Sequence, residues 1–252
     1  MRVNDEVAQK LTSKGLVAVL IIDNVTDAVP LAKSLIDGGI DAMELTLRTE
    51  AALPSLEAIR DKVPEMLAGI GTILKPEQVT QAKNAGASFG VSPGSNRATI
   101  EAAKDAGLPF APGIMTPSDI ETALDYNCEI LKFFPAGSSG GIKHLKNISA
   151  PYAHLNLKYI PLGGINEENM NDYLSHDIIA AVGGSWLASR EDINSKDWKK
   201  ITSSARDKIA KDLDLIDQNI FAFCWVVDYP MFEKDDQTNK INFSHNPFSM
   251  PQ

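Results

Sequence analysis

The sequence predicts an α/β fold, a (β/α)8 TIM barrel, and three observations carry that prediction. Helix-like stretches end in Asp37-Gly38-Gly39, Asn84-Ala85-Gly86 and Asp105-Ala106-Gly107, and each is followed at once by a short run of strand composition. Glycine ends a helix in this way because it takes the left-handed cap conformation without a Cβ penalty. Expected strand ends at Thr72, Ser92, Pro112 and Lys132 are spaced by 20 residues, about the length of one strand-loop-helix unit. Earlier ends near Ile22 and Glu44 to Thr46, and later ones near Gly163 and Gly183, bring the count to eight. The alternative is an open doubly wound sheet, but the turn after the first strand, Ile22-Asp23-Asn24, offers no glycine fingerprint for it.

Taken in order, Val3, Val7 and Leu11 recur at helical spacing, so residues 3–13 read as an N-terminal amphipathic helix stopped at Gly15 and covering one end of the core. Leu16 to Ile22 is a continuous apolar run, as expected of a strand buried on both faces. Residues 26–36 place Val29, Ala32, Leu35 and Ile36 on one helical stripe. A second strand over 40–47 puts Glu44, Thr46 and Arg48 on one face and Leu45 and Leu47 on the other. A Glu and an Arg four residues apart read equally well as a structural ion pair or as members of a site. Thr72 ends the third strand, where a simple turn role competes with a functional one.

Ala87 to Val91 and Leu108 to Ala111 supply the fourth and fifth strands. The sixth, Ile130 to Phe134, sets Lys132 and Phe134 on a common face within an apolar run closed by Pro135. Burying an ammonium costs free energy unless it is paired, or gives up its proton and becomes a nucleophile. Lys132 is therefore either a strand lysine pointing at water or a tuned amine. The seventh and eighth strands end in Gly163-Gly164 and Gly183-Gly184-Ser185. Paired glycines ahead of a helix expose backbone N–H groups and suit a phosphate.

Composition bounds the function. A chain of 252 residues, 44% hydrophobic and 23% charged, suits a soluble globular protein with a substantial core. A net charge of -9 gives no general attraction to nucleic acid or anionic membranes, so any phosphate site is local. Cys128 and Cys224 form neither a CxxC pair nor a disulfide framework, and His144, His154, His176 and His245 show no ligand spacing, so no metal is expected; no cofactor is expected either. The N-terminus has no apolar core of signal-peptide length and no run approaches about 18 apolar residues, which predicts a cytoplasmic protein.

Seven motifs occur in order: Glu44-Leu45-Thr46-Leu47-Arg48-Thr49, Gly71-Thr72, Ser92-Pro93-Gly94, Pro112-Gly113-Ile114, Lys132-Phe133-Phe134-Pro135-Ala136, Gly163-Gly164-Ile165 and Gly183-Gly184-Ser185-Trp186. Together they resemble the 2-keto-3-deoxy-6-phosphogluconate (KDPG) aldolase family, also called 4-hydroxy-2-oxoglutarate (KHG) aldolase, over roughly residues 5–210. The resemblance implies a homotrimeric barrel that forms a Schiff base on a lysine, uses no metal, and acts on a phosphorylated 2-keto-3-deoxy acid. It implies Lys132 as the imine lysine and Glu44 as the acid/base. Arg48 and Thr72 would bind the pyruvyl carboxylate, Pro93 and Phe134 would line the pocket, and Gly163, Gly164, Gly184 and Ser185 would receive the phosphate. Members often carry Glu where this chain has Gly137 and Thr where it has Leu162. Both changes fall where the distal half of a substrate would sit, so they bear on preference between phosphorylated sugar acids and shorter hydroxy-oxo acids. The alternative reading is a catalytically weak barrel.

From residue 213 the composition shifts. These 40 residues hold 7 of the 17 aromatics, and six acids against two lysines account for -4 of the -9 charge. Phe221 to Glu233 followed by Ser244 to Pro251 resembles an internal fragment of bacterial aspartyl-tRNA synthetase, without that enzyme's ATP- or tRNA-binding motifs. The expected organisation is an aldolase barrel over 1–212 and an aromatic-rich appendage over 213–252, with a strand at Ile220 to Asp228 and a polar hairpin turn at Lys234 to Lys240. The appendage is either a relic of gene fusion or an interaction module.

Overall fold

Strand β1, Leu16–Leu20, buries both of its faces, but against different neighbours. Leu16, Ala18 and Leu20 pack with helix residues such as Leu31, Leu35 and Leu56. Val17 and Val19 join a second cluster made mainly of strand residues, among them Ala42, Phe89, Val91, Ala111, Ile130, Ile160 and Leu162. One strand face thus meets the helices while the other meets its fellow strands, which is why the apolar run is continuous rather than alternating.

The structure, a computed structural model, describes residues 7, 10–12, 15–212, 232–234 and 241–243. After β1 and a 3-10 turn at Val25–Asp27 come α1 (Ala28–Asp37), β2 (Ala42–Thr46), α2 (Ala52–Lys62), β3 (Leu67–Gly71) and α3 (Pro76–Asn84). Next are β4 (Gly90–Val91), α4 (Arg97–Asp105), β5 (Phe110–Ala111), β6 (Gly113–Ile114), α5 (Pro117–Asp125) and β7 (Ile130–Phe133). The series ends with α6 (Gly141–Ser149), β8 (Lys158–Pro161), α7 (Met170–Leu174), β9 (Val182–Gly184), α8 (Arg190–Ser195) and α9 (Trp198–Asp212).

The helix boundaries follow local chemistry. Helices α1, α3 and α4 end at Asp37, Asn84 and Asp105, and Gly39, Gly86 and Gly107 take φ of 93°, 91° and 62°. The N–H of the residue after each glycine then donates back into the last turn: Ile40 to Leu35 O at 2.8 Å, Ala87 to Ala82 O at 2.9 Å and Leu108 to Ala103 O at 2.9 Å. This doubled cap satisfies carbonyls that a bare helix end would leave unpaired. Asn127, at φ 56°, does the same after α5, with Cys128 N–H donating to Ala123 O at 3.1 Å. The expected helix over 26–36 becomes α-helical only at Ala28, because 3-10 geometry occupies Val25–Asp27.

Among the described residues up to 212, every strand pairing is parallel. One sheet runs β5-β4-β3-β2-β1-β9 and another runs β6-β7-β8. Pro112, where the fifth strand was expected to end, separates β5 from β6: it has no N–H to donate, but its carbonyl accepts from Lys132 N–H at 2.9 Å. Isolated parallel bridges Tyr159↔Ile179 and Leu162↔Gly183 connect β8 with the approach to β9 and with β9 itself. Of the expected N-terminal helix, residues 7 and 10–12 are helical, and Val7 and Leu11 are buried in the strand-side cluster; its other residues lie outside those described. No helix among the described residues is long and apolar enough to cross a membrane.

The chain divides into two compact units, Met1–Leu215 and Ile216–Gln252. In the second, Phe232–Lys234 and Ile241–Phe243 pair antiparallel, with Lys234 opposite Ile241; of the turn expected at Lys234 to Lys240, Lys234 belongs to the strand and 235–240 lie outside the described residues. The expected strand at Ile220 to Asp228, and Cys224, lie outside the described residues.

Candidate active site

Glu44 lies on the strand-side face of β2 and is only 2% exposed. Its carboxylate reaches across the neighbouring strand at Gly71, where a Cβ would overlap it. Glycine at the end of β3 is thus a requirement of space for the side chain on β2. Two residues further along β2, the Thr46 hydroxyl donates to Leu20 O at 3.1 Å and ties the end of β2 to β1.

Lys132 enters from β7, and its Nζ donates to Glu44 Oε1 at 3.3 Å. It is 6% exposed, so both charged groups have exchanged most of their water for each other. The Phe134 ring, centred 5.4 Å from Nζ, supplies a cation–π contact from the same strand face. On one side of the pair lies the apolar strand cluster, Leu11, Val17, Phe89 and Val91 among its members. On the other side a cavity of about 500 Å³ opens at the C-terminal ends of the strands.

All ten sequence-derived candidates line this cavity. Arg48 is exposed, and among the described residues it has no ion-pair partner. Thr72 follows β3 with φ 61°, a left-handed conformation costly for a β-branched residue. Pro93 follows β4 and Phe134 follows β7. Gly163 and Gly164 have φ of 85° and 82°, and Ser185 starts a 3-10 turn, Ser185–Leu187, immediately after Gly184. The segment after the cis Phe134-Pro135 peptide is stitched to the glycine pair, with Ala136 N–H donating to Leu162 O and Gly137 N–H to Gly163 O, both at 2.8 Å.

Sequence reasoning missed several residues of the cavity. Val19 and Ile21 line it from β1 and the turn beyond, and Ile165 lines it after β8. Counting by twos from Val17 marks Val19 and Ile21 as one face, but nothing in an uninterrupted apolar run says which face is functional. Among the described residues no group of three or more His, Cys, Asp or Glu side chains is placed to hold a metal ion. A second cavity, of about 350 Å³, lies at the opposite end of β8 beside Lys146, Tyr152, Lys158 and His176, and contains none of the candidates. Burial pushes the Tyr159 hydroxyl there up to about 12.

The family model for KDPG and KHG aldolase matches residues 7–204. The chain is 39% identical over 202 residues to the 2-dehydro-3-deoxy-phosphogluconate aldolase of Dickeya dadantii (strain 3937), covering 80% of this chain and 94% of that protein. It is 38% identical over 199 residues to the KHG/KDPG aldolase of Escherichia coli (strain K12), covering 79% of this chain and 92% of that one. Its structure superposes with a TM-score of 0.76 on the KDPG aldolase from Legionella pneumophila, with 36% identity over 80% of this chain and 97% of that one. That crystal structure holds pyruvate captured at low pH as a covalent carbinolamine intermediate. The chain belongs to the KDPG and KHG aldolase family.

Proposed function

We propose that this chain is a Schiff-base aldolase that cleaves KDPG to pyruvate and glyceraldehyde 3-phosphate, with Lys132 as the amine and Glu44 as the proton carrier. The observation that carries the reading is the buried Lys132–Glu44 contact at 3.3 Å, set at the floor of an open cavity. The exposed guanidinium of Arg48, without an ion-pair partner among the described residues, supports it. Arg48 and Thr72 hold the pyruvyl carboxylate and so aim the C2 ketone at Lys132.

Glu44 takes a proton from the Lys132 ammonium, the freed amine adds to C2, and Glu44 returns the proton to the carbinolamine oxygen as water leaves and an iminium forms. Glu44 then takes the C4 hydroxyl proton. The C3–C4 bond breaks, the aldehyde forms at C4, and the bonding pair is absorbed by the iminium as an enamine. Protonation at C3 followed by hydrolysis releases pyruvate and the free amine. Phe134 walls the lysine from solvent, Pro93 lines the pocket, and the backbones of Gly163, Gly164, Gly184 and Ser185 receive the phosphate. KHG, which would give pyruvate and glyoxylate, needs only the proximal half of this machinery and is a second substrate.

The fold supporting the site is a closed (β/α)8 barrel over residues 1–212, with β5 and β6 as one interrupted strand and closure between β8 and β9. The bridges at Tyr159↔Ile179 and Leu162↔Gly183 support that reading. The working form is a cytoplasmic homotrimer. The decisive experiment is borohydride reduction in the presence of pyruvate. A mass addition on the peptide containing Lys132 is expected, and its absence under conditions where cleavage is measurable defeats the imine assignment. Size-exclusion chromatography with light scattering tests the trimer.

A further inference from the structure

We infer that the aldehyde half of the cavity is an aliphatic wall that takes up non-hydroxylated, branched aldehydes, and that Leu162 is its specificity-determining residue. The inference rests on Lys132 and Glu44 as the reacting pair. With the pyruvyl carboxylate toward Arg48 and Thr72, the remainder of a bound substrate points to the ends of β8, β9 and β1. The side chains there are Val19, Ile21, Leu162 and Ile165, together with one hydroxyl, that of Ser185. Leu162 and Val19 converge over β9: a Cβ at Gly183 would lie 2.6 Å from Leu162 Cδ2 and 3.3 Å from Val19 Cγ2. The wall is continuous because position 183 has no side chain to part them. Thr46, whose hydroxyl also borders the cavity from β2, already donates to Leu20 O.

A polyhydroxylated aldehyde placed against this wall loses water from hydroxyls that find few partners, whereas a branched alkyl aldehyde loses only ordered water. The reaction is the reverse of cleavage. The C3 electron pair of the pyruvyl enamine forms a bond to the aldehyde carbon, the nitrogen becomes an iminium, and the aldehyde oxygen takes its proton from Glu44. Water then hydrolyses the iminium, freeing the Lys132 amine and a 4-hydroxy-2-oxo acid. A phosphate on natural substrates still reaches the glycine backbones beyond the wall, so the two kinds of acceptor share one amine.

The test measures kcat/KM for addition of pyruvate to D-glyceraldehyde and to 2-methylbutanal, its carbon isostere with both hydroxyls replaced by methyl groups. The unaltered enzyme is expected to use 2-methylbutanal at least as well as glyceraldehyde. Leu162→Thr should swing the ratio about tenfold toward glyceraldehyde, as should Ile21→Thr elsewhere in the cavity lining, because each gives a hydroxyl a partner. Pyruvate trapping by borohydride is run on all three proteins as a check that the site is intact. A tenfold or greater preference of the unaltered enzyme for glyceraldehyde overturns the inference, as does a ratio that neither variant moves while both still trap pyruvate. If Leu162→Thr is inactive, the unaltered ratio and Ile21→Thr decide. If product forms but trapping falls on another amine, the Lys132 assignment fails, and the wall is judged by the ratio alone.

Discussion

Lys132 and Glu44 are buried together, and each makes the burial of the other tolerable. Removing one partner leaves a charge, or a costly change of protonation, in a site with little water, so Lys132→Ala and Glu44→Ala should each destabilise the fold by about 3 kcal/mol. The double variant removes both charges and should cost less than the sum by about 1–2 kcal/mol, read from urea unfolding midpoints. Strict additivity in that cycle would mean that the pair contributes no coupling. Thr72 presents the opposite case, a residue whose backbone is held against its own preference at φ 61°. Thr72→Gly should leave stability unchanged or raise it by about 1 kcal/mol, while raising KM for the substrate because the hydroxyl is gone. A loss of stability with unchanged KM would make Thr72 a structural residue. At this scale the sequence exposed a residue wherever chemistry broke an apolar pattern. Lys132 stands out in Ile130 to Phe134, and Glu44 and Arg48 stand out among Leu45 and Leu47. It concealed the purpose of Gly71, the space its missing side chain leaves for Glu44, and it concealed Val19 and Ile21, which look like every other aliphatic on a strand buried on both faces.

Elements in this fold are delimited by a repeated stop, and the repeat made the element order readable before the strands themselves could be placed. The strands are short, β4 and β5 having two residues each, and so carry little periodicity of their own. The stop after α5 lacks that mark in the sequence because Asn127 stands where α1, α3 and α4 have glycine. Asparagine tolerates the left-handed region better than most residues, which suffices once the cap hydrogen bonds form. Gly107 isolates the effect, since a Cβ there meets nothing within 4 Å. Gly107→Ala should therefore cost about 1–2 kcal/mol through φ alone. Asn127→Gly should be neutral or slightly stabilising, and thermal unfolding of the pair checks both. The turn after β1 is fastened to α8 by Arg190, whose guanidinium donates to both Asp23 oxygens at 2.8 and 2.6 Å, and by Asn194 at 3.0 Å. The Arg190 hydrogen bonds, then that from Asn194, lower the Asp23 carboxyl to about 2 from its ordinary 3.8. Because the folded value is the depressed one, the contribution is present above 3.8 and is lost as pH falls toward about 2. The melting temperature of the unaltered protein should fall across that window more steeply than that of Asp23→Asn, in low salt because the pair is exposed. Equal slopes would show that the contact adds nothing to acid stability.

At the scale of the whole molecule, aromatic and acidic residues accumulate after residue 212, and the compact units divide between Leu215 and Ile216. Composition could not say what the second unit does, because a hairpin such as Phe232–Lys234 paired with Ile241–Phe243 needs further surface to be stable, and sequence does not reveal whose. The catalytic reading makes a demand on this division. The cavity is lined by residues from Val19 to Ser185, and the family match ends at residue 204, so the proposed chemistry draws on the first unit alone. A chain ended after Leu215 should cleave KDPG with kcat/KM within about twofold of the full chain, an allowance of about 0.4 kcal/mol in transition-state free energy. Its melting temperature should also match, since the apolar clusters that hold the strands and helices together belong to that unit. Both are to be measured beside the molar mass in solution. A truncated chain that keeps its activity and its mass leaves the appendage without a role in catalysis or assembly. A fall in mass with activity retained would instead make it an assembly element, and a fall in kcat/KM at constant mass and melting temperature would place some of the working enzyme beyond Leu215.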